Sequence, residues 1–116
     1  MKNDFSEQLK KKMDEYVHLV YKFTRNFPKE EMYGATSQLR RSSLSIILNY
    51  IEGFARQKKA VKQNFWEISY GSLKESKYLL HFSLVEKYIS QKDYQNAMDL
   101  AEEIGAMLWR SMQSLK

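Results

Sequence analysis

Apolar residues recur at three- and four-residue spacing along nearly the whole chain, the period of helices with a buried face. From Phe5 to Arg25 the stripe is Leu9, Met13, Tyr16, Val20 and Phe23, continued by Phe27, with lysines and acids opposite. Asn26-Phe27-Pro28 ends this helix, because proline disfavours helical geometry in the residue before it. Lys29 to Ala35 reads as a connector, with a turn of helix where Glu30 and Glu31 follow Pro28. A second helix is predicted from Thr36 or Ser37, either of which can cap it, to Gln57. It carries two stripes: Leu39, Ile46, Tyr50 and Gly53 on one side, and Leu44, Ile47, Ile51 and Phe54 on another. A helix apolar on two sides is buried on two sides. One face is expected to meet the core and the other a second subunit.

The third helix is predicted from Val61 to Lys87, with Val61, Phe65, Ile68, Leu79, Phe82 and Ile89 as its core stripe. Trp66, Tyr70, Leu73, Leu80, Leu84 and Tyr88 form a second stripe that one core does not need. The first five of these are the candidate oligomer interface. The fourth helix starts at Ser90, which with Asp93 resembles a capping box, and buries Tyr94, Ala97, Ala101, Ile104, Leu108 and Leu115. Short connections near 57–60 and 88–90 imply antiparallel neighbours. The expectation is an all-α, antiparallel, up-and-down four-helix bundle forming one domain over 1–116.

Composition agrees with this pattern. One proline and four glycines in 116 residues favour long helices over turns. There is no cysteine, so disulfides and thiolate chemistry are excluded. The charged start MKNDFSEQLKKKMDEY lacks the apolar core of a signal peptide. No apolar run reaches the roughly 18 residues of a membrane span, so a cytoplasmic protein without membrane contact is expected.

Polar residues interrupt the stripes. Arg41, Ser45, Asn49 and Glu52 share one face of the second helix, and Gly71, Ser72 and Glu75 fall inside the stripe of the third. Buried polar groups need partners, and buried charges need opposite charges. The two polar faces are therefore expected to meet, Arg41 pairing with Glu75 or Glu52 while Asn49 and Ser72 complete the network. Gly53 and Gly71 would let the helices approach closely. Such a network sets helix register, as polar residues do in coiled coils. The alternative is a buried acid pair used in chemistry or metal binding. A di-metal bundle site, which draws Glu-x-x-His pairs from two helices, is not expected, nor is any cofactor.

These residues carry a resemblance. The run Gln38-Leu39-Arg40-Arg41-Ser42-Ser43-Leu44-Ser45-Ile46, then Asn49-Tyr50-Ile51-Glu52-Gly53, then Gly71-Ser72-Leu73-Lys74-Glu75, resembles the four-helix-bundle family encoded in intervening sequences of bacterial 23S ribosomal RNA genes. Phe27-Pro28-Lys29-Glu30-Glu31-Met32-Tyr33-Gly34 matches that family's connector, and the likeness spans about 16 to 114. It implies a homopentamer without known catalysis. It also implies kinship with the accessory variability determinant protein of diversity-generating retroelements, a basic pentamer that binds nucleic acid and reverse transcriptase. Tyr50-Ile51 and Ile47-Leu48 depart from the usual pattern without touching the polar motif.

No catalytic constellation is legible. His18 lies among charged residues and reads as solvated, His81 reads as a boundary residue, and no serine has a nucleophile-elbow context. The formal charge is +5, concentrated in residues 36–62, where Arg40, Arg41, Arg56, Lys58, Lys59 and Lys62 face one acid, Glu52. Arg40, Arg56, Lys58, Lys59 and Lys62 are the candidate RNA- or DNA-backbone contacts, with Lys10, Lys11 and Lys12 as a weaker cluster. The plain alternative is solvated helix ends, where lysines suit the dipole. The rival function is a protein-interaction scaffold with a polymerase-type partner.

Overall fold

The computed structural model describes residues 4–116, so residues 1–3 of the expected span lie outside it. Four α-helices follow in order: α1 (Asp4–Thr24), α2 (Ala35–Phe54), α3 (Lys59–Val85) and α4 (Gln91–Gln113), with a 3₁₀ turn at Lys29–Glu31 between α1 and α2. No strand occurs among the described residues. The molecule measures 43 × 25 × 18 Å.

Local chemistry sets the ends. Ser90 caps α4, its hydroxyl accepting from the Asp93 N–H at 3.1 Å, as the sequence predicts. The start of α2 differs from expectation. Gly34, not Thr36 or Ser37, is the N-cap residue, and it supplies no side-chain bond. The carboxylate of Glu31, brought back by the 3₁₀ turn, accepts from the Ala35 N–H at 3.0 Å instead. Thr36 is buried inside the helix. At the end of α3, Lys87 adopts φ 65°, and Tyr88 donates its N–H to the Ser83 carbonyl at 2.8 Å. This is a left-handed helix stop of the Schellman kind, made without glycine.

Each helix packs against its chain neighbours, and α4 also closes on α1. The pairings run antiparallel. Ser45 meets Ser72 and Tyr50 meets Trp66 between α2 and α3. Lys77 meets Glu102 and Tyr70 meets Trp109 between α3 and α4. Between α1 and α4, Lys12 meets Glu103. The stripes of α1 and α4 are buried as expected, from Leu9, Met13, Tyr16 and Val20 to Ala97, Ala101, Ile104 and Leu108.

In its first half α3 turns its two stripes the other way round from the sequence expectation, whereas Leu79, Phe82 and Ile89 of the expected core stripe do reach the core. Trp66, Leu73 and Leu80 are buried in the chain's own core, at 5%, 1% and 0% exposure, and Tyr70 and Leu84 pack against that core. They are not a free subunit surface. Val61 and Ile68, expected inside, are 38% and 46% exposed. The cause is a seam of serines. Trp66, Ser69, Leu73, Ser76, Leu80 and Ser83 alternate at three and four residues, and all are buried. Serine is small enough to let a neighbouring helix approach: Ser69 finds its acceptor in α2, Ser76 bonds the Tyr16 hydroxyl of α1, and Ser83 donates to the Leu79 carbonyl of its own helix. Ser69 donates to the Ile46 carbonyl at 2.6 Å, and the Trp66 indole N–H donates to the Tyr50 carbonyl at 3.0 Å. Gly53 completes the close approach, since a Cβ there would lie 2.5 Å from the Trp66 ring. Gly71 does not share this role: it is on the exposed side with nothing within 4 Å.

Candidate nucleic-acid interface and polar groove

The polar motif forms only in part. The Ser45 and Ser72 hydroxyls are hydrogen-bonded at 2.7 Å, and the Asn49 amide donates to both the carbonyl and the hydroxyl of Ser45. This ties the outer edge of α2 to α3 as expected. The charges behave otherwise. Arg41, Glu52 and Glu75 are exposed, so no buried pair exists. Glu52 pairs with Arg56 one turn along α2's direction, and neither Arg41 nor Glu75 forms an ion pair among the described residues. Desolvating both charges would cost more than neutral hydroxyls do, and hydroxyls already close the seam. Arg41 and Glu75 instead line an open groove of about 430 Å³ with Gln38, Ser42, Ser45 and Ser72.

The basic residues separate into two places. Arg40 donates to the Thr24 hydroxyl at 2.9 Å and lies over the Tyr21 ring, at the α1 C-terminal end of the bundle. Arg56, Lys58, Lys59 and Lys62 gather at the opposite end, about 24 Å away by helical rise. There Arg56 lies over the Phe65 ring and is held by Glu52. Lys62 donates to the Phe54 carbonyl at 3.3 Å, at the C-terminus of α2, where a cation suits the unsatisfied carbonyls. Lys58 and Lys59 stand exposed at the start of α3. Lys10 joins them from α1, its ammonium 5.3 Å from the Phe54 ring that Lys62 also approaches. The sequence hinted at Lys10 only as a separate cluster. The antiparallel pairing of α1 and α2 unites the two.

A third feature is the outward stripe of α2. Leu48 and Ile51 are 59% and 46% exposed, and the register puts Leu48 level with exposed Ile68 of α3. Of the second α2 stripe, Ile51 and Phe54 are exposed while Ile47 packs against the core, and the exposed apolar surface continues across Ile68 and Val61 rather than across Trp66 and Leu73.

His18 is exposed beside Asp14 at 3.3 Å, and His81 is exposed next to the Tyr78 ring. Glu15 and His18 stand at Glu-x-x-His spacing, but both face solvent, and no cluster of three metal-ligating side chains occurs among the described residues. The titrations that move are structural. Burial pushes the Tyr16 hydroxyl up to about 12, against a hydrogen bond from Ser76 that opposes it. Tyr50 is raised by the same cause. Among the described residues no helix is long and apolar enough to cross a membrane.

Among solved structures, the chain is similar to a Bacteroides thetaiotaomicron VPI-5482 protein of unknown function from the S23 ribosomal protein family. The two are 25% identical with a TM-score of 0.81, over 90% of this chain and 97% of that one. No curated protein matches. The family model for the 23S rRNA-intervening sequence protein matches residues 7–110, nearly the whole bundle with its polar motif and connector. The chain belongs to the 23S rRNA-intervening sequence protein family.

Proposed function

We propose that the chain is a non-catalytic, self-associating bundle of the cytoplasm that grips a nucleic-acid backbone with its basic end. The observation that carries this reading is the joining of Lys10 to Arg56, Lys58, Lys59 and Lys62 at one end, where Glu52 is tied to Arg56 and Glu7 to Lys10 at 2.9 Å. Such a cluster meets phosphates without reading sequence. A homopentamer, the assembly that the family resemblance implies, would present five copies and turn a weak site into a firm one through avidity. The exposed face of Leu48, Ile51, Val61 and Ile68 supports self-association, because apolar surface of this kind favours a partner.

Binding of labelled RNA and duplex DNA at about 50 and 200 mM salt tests the reading, since phosphate contacts weaken steeply across that range. Reversing the exposed pair Lys58 and Lys59 to glutamate should lower affinity and flatten the salt dependence. Unchanged binding would sink the cluster assignment. A second reading, a scaffold for a polymerase-type protein without nucleic-acid contact, draws on the same apolar face. Absence of RNA and DNA binding at low salt, with assembly intact, would move it to first place. Leu48→Asp with Ile68→Asp should reduce the solution mass on either reading.

A further inference from the structure

A shallow groove of about 370 Å³ lies between α3 and α4, away from the polar motif. Tyr70 and Trp109 line it, their rings in contact with each other, centroids 5.8 Å apart and tilted by 48°. Leu73 forms the floor, and Gly105 keeps it open, since a Cβ there would reach Leu73 at 3.2 Å. Trp109 is 48% exposed, a large flat surface with no core to cover it. The rim is cationic. Lys74 has its ammonium 5.3 Å from the Tyr70 ring centre and forms no ion pair among the described residues. The one acid of the rim, Glu102, is bound by Lys77 at 2.6 Å, and that contact holds its carboxyl below the usual range.

We infer that this groove is a stacking site for an unpaired base of a bound single strand. Exposed aromatic faces next to lysines suit bases, which carry a π-face joined to a phosphate. A buried apolar peptide side chain would need the aromatics alone and would gain nothing from Lys74. A second groove lies nearer the basic end. Lys59, Tyr70, Lys74 and Lys77 fall on one face of α3, and a neighbouring groove on that face is lined by Lys59, Gln63, Leu115 and Lys116. Glu67 interrupts this track, and its carboxylate accepts from the Gln63 amide at 3.1 Å. The inference rests on the nucleic-acid reading above and adds the part of the polymer that is held.

The test uses the full chain, a short labelled single-stranded RNA and the same strand with abasic sites. The wild type should bind the base-bearing strand about fivefold tighter or more, as one stacked base is worth. Trp109→Ala should lose that preference, while Trp109→Phe should keep most of it. Lys58→Glu with Lys59→Glu should weaken both strands and leave their ratio unchanged. Equal wild-type binding of the two strands would overturn the stacking site and leave the backbone grip standing. An unaltered preference in Trp109→Ala would overturn it too. A lower solution mass for Trp109→Ala would assign the groove to contact between copies instead. Failure of the wild type to bind either strand would overturn both readings together.

Discussion

On the inner side of α3 each buried serine hydroxyl meets an oxygen of this chain, whereas beside the outer α2–α3 edge Arg41 and Glu75 meet none. Both sides carry polar residues at helical spacing, so they look alike in the sequence. Their electrostatic demands differ. A serine needs one acceptor, and a helix carbonyl has a lone pair to spare. A buried guanidinium needs an opposite charge and several further bonds. The seam is therefore built from Ser69 and Gly53, with Ser76 bonded to Tyr16 of α1, and the charges are left in a groove open to solvent.

The comparison can be broken at its strongest point first. Trp66→Ala removes a buried ring stacked on Tyr50 at 5.2 Å and its bond to the Tyr50 carbonyl, and should destabilise the fold by about 3–5 kcal/mol. Chemical denaturation measures this. A variant of native stability that merely fails to assemble would return Trp66 to the subunit surface. The next effect is alkaline. Tyr16 keeps its proton in the folded state to about pH 12, against 10.0 for the free group. Between those values the unfolded chain binds fewer protons, so stability falls as pH rises, by about 1.4 kcal/mol per pH unit. Melts from pH 9 upward should show that slope, and Tyr16→Phe should flatten it.

Smaller effects sharpen the contrast. Gly53→Ala gains helix propensity but drives a methyl into the Trp66 ring, for a net loss of about 1–2 kcal/mol by denaturation midpoint. A neutral or stabilising result would mean the seam has slack. Glu75→Ala should change the stability of the single chain by less than about 0.5 kcal/mol, the range for exposed sites. A loss of about 3–5 kcal/mol would restore the buried pair with Arg41. Lowered solution mass with unchanged chain stability would place the groove at a contact between copies.

The helix boundaries and the inward faces of α1 and α4 were legible because each has one strong stripe, such as Leu9, Met13, Tyr16 and Val20. The cluster at Arg56, Lys58, Lys59 and Lys62 was legible too, as a run of like charge along the chain. Lys10's place beside it was not, because it depends on how α1 lies against α2. Nor was the groove at Trp109, since Tyr70 falls within a stripe of its own helix and its ring partner comes from α4. The heptad Ser69, Ser76, Ser83 was the missed signal. It is regular, but a hydrophobic count gives serine no weight.

By itself, then, the sequence determined four helices, their antiparallel order and which residues repeat on a common face, because these follow from local period and short connections. Helix packing settled that Trp66 rather than Val61 and Ile68 faces inward in the first half of α3, and that Arg41 and Glu75 stay in water. Those choices depend on a partner helix: small serines and Gly53 let α2 come close enough for its carbonyls to accept bonds, and periodicity along one chain carries no record of that distance.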